Sequence, residues 1–259
     1  MIYKNREKIL EERIYETKEG NRLPLLTFSM LEHIPGIRHC FTTRAGGVSE
    51  GIFRSLNLSF TRGDDREAVL ENYRRVAVGD GNGYRAGGNQ RSDPHHKYSP
   101  GARGGCRKGV VRPRDYRDVD GLITDEPGLV LSTFYADCVP LYVVDPVHRA
   151  IGMSHSGWRG TAARMGAVTL SAMQEAYGTR PEDVVCAVGP SICRDCYEVS
   201  ADVADIFAEE FPGHEQEILA ESEKNSVGMA HADKNTSWIS GRRTRSFFRR
   251  RACEKSIWQ

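Results

Sequence analysis

Residues 121–211 constrain the fold more than any other part of the chain. Gly121–Thr124, Gly128–Thr133, Leu141–Asp145 and Arg149–Ser154 are short apolar runs separated by turn residues, the pattern of successive strands. Ala, Met, Val and Leu then recur at helical spacing from Gly160 to Tyr177, Asp183–Val188 is a further strand, and Ser200 opens a helix through Phe211. Apolar strands of this length need both faces covered, and helices interleaved with them supply the cover. The expected fold is α+β with α/β-like character, a single compact domain over residues 1–259 in which mixed β-sheets are layered with helices.

The preceding segment is weaker but has the same grammar. Residues 23–42 mix apolar runs with turn residues and close on His39-Cys40-Phe41-Thr42-Thr43, a short strand before the tight loop Arg44-Ala45-Gly46-Gly47. Leu56–Phe60 alternates like another strand. Asp64 and Asp65 stand where cap and first-turn acids belong for a helix over 65–78, which carries Asn72.

Composition excludes several classes of function. Lys and Arg total 36 against 35 Asp and Glu, a net charge of +1, so no basic excess points to nucleic acid. No run approaches the roughly 18 apolar residues of a membrane span, and the charged start Met-Ile-Tyr-Lys-Asn-Arg lacks an apolar segment behind it. Seven Cys is an odd number spread along the chain, a poor disulfide framework. The expectation is a cytoplasmic protein that engages neither membrane nor nucleic acid, with thiols left to bind metal or react.

Two segments break the pattern. Residues 80–107 carry Gly79-Asp80-Gly81-Asn82-Gly83, Ala86-Gly87-Gly88-Asn89 and Ser99-Pro100-Gly101-Ala102-Arg103-Gly104-Gly105, with almost no apolar periodicity. From about 222 the chain is again unpatterned, and it ends in a basic cluster of Arg242, Arg243, Arg245, Arg249, Arg250, Arg251 and Lys255 against the single acid Glu254. By composition these are a solvated loop and a basic tail.

The chemistry is concentrated in Ala136-Asp137-Cys138-Val139-Pro140 and, seventeen residues after Cys138, His155 within Ser154-His155-Ser156-Gly157-Trp158-Arg159-Gly160. Both residues fall at strand ends, so a thiol and an imidazole can meet in space. They suit a Cys–His nucleophilic pair or part of a zinc site. A third ligand decides, and His95 or His96 is the candidate; His33 and His39 precede a different strand and His148 lies in a turn. Cys193-Arg194-Asp195-Cys196 has half-zinc or redox spacing, but no second Cys pair follows it.

Taken together, His39-Cys40-Phe41-Thr42-Thr43-Arg44-Ala45-Gly46-Gly47-Val48-Ser49, Leu56-Asn57-Leu58, Ala136-Asp137-Cys138-Val139-Pro140, His155-Ser156-Gly157-Trp158-Arg159-Gly160-Thr161, and Val188-Gly189-Pro190-Ser191-Ile192 with Tyr197-Glu198-Val199 resemble the bacterial YfiH/laccase-domain family. The resemblance covers roughly 37–79 and 109–215 in the family's order. It implies a YfiH-like fold and a zinc-dependent purine nucleoside phosphorylase with accompanying adenosine deaminase activity. Adenosine, inosine or methylthioadenosine, together with phosphate, would be its small-molecule partners.

It also implies three metal ligands, two on Cys138 and His155 and the third on the His of a Gln-x-His word. Here Asp93-Pro94-His95 stands in place of that word. A one-base shift of the coding frame over about 80–107, and again from about 222, unites the departures. Codons chosen for Ser92 to Tyr98 then spell Gln-Ile-His. As the sequence stands, the metal set is His95, Cys138 and His155, with His96 as the alternative to His95. A His₂Cys set leaves one position open on a tetrahedral ion.

Phosphorolysis needs an anion site, for which Arg44 with the N–H groups of Gly46 and Gly47 is the candidate and Arg159 the second. Asn57 is assigned to orienting a substrate hydroxyl, with a turn role as its alternative, and Trp158 to stacking on the base or walling the site. Three alternatives stand beside this reading. The first is a copper-binding polyphenol oxidase: copper outranks zinc at N and S sites, but eight His without a His-x-His pair are too few for a multicopper cluster. The second is a metal-free hydrolase with Cys138 as nucleophile and His155 as base. The third is an inactive binding protein.

Overall fold

The computed structural model describes residues 9–16, 20–78, 85–89, 98–100, 118–192, 196–221 and 236–238. The chain forms two compact units, one of Met1–Gly87, Cys106–Pro113 and Gly128–Val130, the other of Gly88–Gly105, Arg114–Pro127 and Leu131–Gln259.

In the first unit, strands β1 (Leu10–Glu16), β2 (Arg22–Phe28) and β3 (Phe41–Thr42) form an antiparallel sheet. Leu23 and Leu25 of β2 pack with Leu56, and Tyr15, Cys40 and Val76 close around them. The β1–β2 hairpin was not legible as strands because Glu11, Glu12 and Arg13 interrupt the apolar alternation of β1; Arg13 is held by Glu32 at 2.8 Å on the short helix α1 (Ser29–Glu32).

Helix α2 (Arg66–Val78) follows the expected span, and Asp65 caps it by accepting the Ala68 N–H at 2.8 Å. The strand expected at Leu56–Phe60 does not form. Its carbonyls are claimed by α2 instead: Asn72 Nδ2 donates to Asn57 O at 2.8 Å and the Tyr73 hydroxyl to Leu58 O at 2.9 Å. Buried Asn72 also accepts the Val48 N–H at 2.7 Å, so one amide stitches two loops to the helix.

The remaining strands are β4 (Arg85–Asn89), β5 (Tyr98–Pro100), β6 (Gly121–Thr124), β7 (Leu129–Ser132), β8 (Val139–Asp145), β9 (Ala150–Ser156), β10 (Val185–Val188), β11 (Glu198–Val199), β12 (Leu219–Glu221) and β13 (Thr236–Trp238). The second unit's main sheet has the order β10-β8-β9-β6-β5, antiparallel except for the β5–β6 pair. Every residue of β8 is buried, whereas its equally central neighbour β9 alternates between buried and half-buried positions. Ile123, Val139, Leu141, Val143, Met165, Leu170 and Met173 form the core beneath it. A second cluster gathers Ala162, Val199, Val203, Phe207, Phe211 and Ile218, drawing on helix α5 (Ala201–Glu210) and the turn of helix α6 (Glu215–Ile218).

The single helix expected over 160–177 is two, α3 (Trp158–Ala162) and α4 (Met165–Tyr177). Arg164 breaks it with a left-handed φ of 62°. That conformation costs roughly 1–2 kcal/mol for a non-glycine residue, and tertiary contacts offset it. The Arg164 guanidinium bonds Glu210 O, pairs with Glu210 Oε2 at 3.7 Å and lies 4.4 Å over the Phe211 ring. None of these partners is local, so helical spacing gave no warning.

Candidate functional site

Cys138 is the residue before β8, and His155 is the last but one of β9. These strands pair antiparallel with Pro140 opposite His155, which brings the two residues to one end of the β8–β9 pair. A Cβ placed on Gly157 would lie 3.2 Å from Cys138 Sγ, 3.5 Å from His155 Cε1 and 3.9 Å from His155 Nε2. Sulfur and imidazole therefore both lie close against Gly157, with no side chain of residue 157 between them.

Neighbouring segments fix that end. The Gly189 N–H donates to Pro140 O at 2.9 Å and the Ile192 N–H to Asp137 O at 3.0 Å, strapping residues 189–192 across the start of β8. A Cβ at Gly189 would fall 2.7 Å from Pro140 Cγ, so only glycine permits the approach. On the other side, buried Ser156 and Thr161 bond through their hydroxyls at 2.8 Å, and Thr161 Oγ1 donates to Gly157 O at 2.9 Å. These bonds close the first turn of α3 against His155.

The imidazole is held at its edge and on its face. Asp120 Oδ1 lies 3.4 Å from His155 Nδ1, and Asp120 O accepts the His155 N–H at 2.8 Å. The Tyr135 ring stacks on the imidazole with centroids 5.7 Å apart, while its hydroxyl donates to Thr133 Oγ1 at 2.8 Å. Burial opposes a charge on His155, but the Asp120 carboxylate and the Cys138 side chain outweigh it and push the imidazole up to about 9. Tyr197, packed in the second core cluster, is raised by burial and then by the charges of Cys138 and Asp137. Sequence reading missed Asp120 and Tyr135 as site residues. The signal for Asp120 was an acid at the head of an apolar strand, a place where a carboxylate needs a partner.

The other expected residues are placed as follows. His95 and His96 lie outside the described residues, as does Cys193 of the Cys pair. Arg44 is in the first unit, its Nε donating to Arg54 O at 2.8 Å and its Nη2 to Ile52 O at 3.1 Å. Gly47 N donates to Ser55 Oγ at 3.2 Å, and a Cβ there would fall 2.0 Å from Ser55 O. Asn57, in the same unit, spends its amide locally: Nδ2 donates to Asp64 Oδ2 at 2.8 Å and Oδ1 accepts the Ser59 N–H at 3.0 Å, which is the turn role. In the second unit, Arg159 lies 4.1 Å over the Trp158 ring, which packs against the Phe207 cluster. His39 and His148 are structural; His39 Nε2 accepts the Phe28 N–H at 2.7 Å and His148 Nδ1 bonds Asp145 at 2.8 Å.

Among the described residues no three His, Cys, Asp or Glu side chains form a metal-holding group. The two donors that do meet are of the right chemistry. A thiol and an imidazole suit zinc and copper alike, and a carboxylate behind the imidazole is the usual support of a metal-binding histidine.

Residues 38–237 match the family described as multi-copper polyphenol oxidoreductase laccase. The chain belongs to that family. A Deinococcus radiodurans relative named purine nucleoside phosphorylase is 36% identical over 228 residues, covering 85% of this chain and 83% of its own length. A relative named adenosine deaminase, from an unknown prokaryotic organism, is 30% identical over 185 residues, covering 67% of this chain and 66% of its own. Among solved structures, the Bacillus licheniformis hypothetical protein YfiH superposes with a TM-score of 0.74 at 26% identity, covering 88% of this chain and 82% of that one. The laccase-domain resemblance and the YfiH-like α+β fold expected from sequence are both borne out. No helix among the described residues is long and apolar enough to cross a membrane.

Proposed function

We propose that this family member is a metal-dependent purine nucleoside phosphorylase with adenosine deamination as a side activity. The observation that carries the reading is the meeting of the Cys138 sulfur and the His155 ring against Gly157, in a chain whose relatives are named for these two reactions. Cys138, His155 and a further imidazole, assigned to His95, would hold the ion; zinc is preferred, with copper the competitor. Bound there, a divalent ion supplies Lewis-acid polarisation of a water or substrate oxygen.

In phosphorolysis a phosphate oxygen bonds the anomeric carbon as the bond to the purine nitrogen breaks, and the bonding pair leaves with the base. Ribose 1-phosphate and free purine result. In deamination, water adds at the purine carbon bearing the amino group and ammonia leaves. Arg44 is assigned to the phosphate, and its two bonds to the carbonyls of Ile52 and Arg54 hold the guanidinium in one orientation. His155 is oriented by Asp120 and Tyr135, which spares the site the entropy of ordering it during reaction.

A second reading is favoured by one observation. Cys138, His155 and Asp120 follow the order nucleophile, base and orienting acid, the arrangement of a metal-free cysteine hydrolase. One experiment separates the two. Zinc-loaded protein is incubated with adenosine, with and without phosphate, and adenine is distinguished from inosine. Adenine released only with phosphate supports the phosphorylase. If the purified protein is zinc-free, makes neither product and is alkylated at Cys138 at neutral pH, the hydrolase reading replaces it.

A further inference from the structure

Resting on the assignment of His155 as a metal ligand, we propose that Asp120 is a positioning residue: its carboxylate keeps the proton on His155 Nδ1 and so leaves Nε2 as the donor atom facing Cys138. Three observations point there. Asp120 is 4% exposed, and a carboxylate is rarely buried without a partner it serves. Its backbone carbonyl already takes the His155 N–H at 2.8 Å, so strand geometry does not need the side chain, yet Oδ1 still lies 3.4 Å from Nδ1. Beyond Nδ1, Cε1 and Nε2 lie 3.5 and 3.9 Å from the Cβ position of Gly157, against which Cys138 Sγ also lies, at 3.2 Å.

An imidazole has two neutral tautomers, and only one offers Nε2 as an acceptor. Once the ring gives up its second proton, a fixed carboxylate at Nδ1 selects that one. The stacked Tyr135 ring at 5.7 Å limits tilting but carries no tautomer preference; the Cys138 side chain also bonds the ring, so the carboxylate of Asp120 is what holds the proton at Nδ1 against it. Residues of this kind typically contribute 10–100-fold to metal affinity.

The test uses the whole chain as wild type, Asp120→Ala and Asp120→Asn. Zn²⁺ affinity is measured by chelator competition. The ¹⁵N shifts of His155 in metal-free protein, taken where the ring is neutral and assigned with a His155→Gln variant, report the tautomer directly. The expected result is a 10–100-fold loss of Zn²⁺ affinity in Asp120→Ala with growth of the Nε2–H tautomer. Asp120→Asn, whose neutral amide accepts more weakly than a carboxylate, should shift the tautomer population part-way and lose about tenfold. Unchanged tautomer in folded Asp120→Ala overturns the proposal, as does an unchanged tautomer population in Asp120→Asn should the alanine variant not fold. A wild type that binds no Zn²⁺ defeats the metal reading, and the tautomer measurement then decides on Asp120 alone.

Discussion

Gly157 and Cys138 share a wall, with the sulfur 3.2 Å from where a Cβ at 157 would sit. The backbone of Gly157, at φ −71° and ψ −179°, is open to any L residue, so glycine is there for space and not for torsional freedom. Gly157→Ala should therefore fold, with a stability loss of no more than about 1 kcal/mol from the changed helix cap. The added methyl group should lower Zn²⁺ affinity about tenfold by crowding both donors. Chelator competition alongside thermal unfolding checks this; unchanged affinity would remove the volume beside Cys138 from the site.

Metal binding should be strongly pH-dependent. His155 is pushed up to about 9 in the metal-free protein, so below that pH an ion must displace a proton to reach the ring. Apparent Zn²⁺ affinity should rise as pH climbs from about 6.5 towards 9 and level off above it. Metal-free stability should run the opposite way, because a raised imidazole contributes below about 6.5 and is lost as pH passes through about 9. Calorimetry of Zn²⁺ binding in two buffers of different ionisation heat would count the released proton.

Arg44→Ala should raise the phosphate concentration needed for half-maximal adenine release by about tenfold or more, the scale of one charge-assisted contact, while zinc content stays unchanged. Arg44→Lys should recover only part, since a point charge does not reproduce the fork of a guanidinium. Normal phosphate saturation in Arg44→Ala would take Arg44 out of the anion site.

Asp145 should govern acid stability. Its buried carboxylate accepts the Val147 and His148 N–H groups at 2.9 and 3.0 Å and bonds His148 Nδ1 at 2.8 Å. Burial opposes its ionisation, yet the His148 and Val147 bonds hold it below the usual carboxylate range. Its contribution is thus present above about pH 4 and lost as pH falls through the lowered value. Asp145→Ala should cost about 2 kcal/mol at neutral pH by leaving the turn's N–H groups unpaired. Denaturant melts of both proteins at pH 7 and pH 3 should show that difference shrinking in acid.

An independently cloned gene tests the frame-shift account of 80–107 and 222–259. The expected sequence carries Gln-x-His where Asp93-Pro94-His95 now stands, with an intact mass to match. A confirmed identical sequence leaves His95 and His96 as the candidate third imidazole.

The long strands of the second unit and α2 were readable because burial on both faces, or on one stripe, leaves an apolar record in sequence. Cys138 and His155 were readable because both stand at strand ends. Leu56–Phe60 was misread because its alternation serves side-chain bonds from Asn72 and Tyr73, which pair distant residues. The β1–β2 hairpin escaped because an edge strand with exposed charges keeps no period-2 signal.

What the sequence determined alone is the order of apolar strands, the capped α2 helix and the presence of a thiol and an imidazole at strand ends, all of which are local properties of spacing and residue type. Tertiary structure alone decided that Asp120 stands behind His155, that Tyr135 lies on its face, and that Arg164 breaks the helix. Each of these depends on strand register or on contacts across tens of residues. A one-dimensional pattern records which residues seek burial or charge, but the partner that satisfies them is chosen only when the sheet closes.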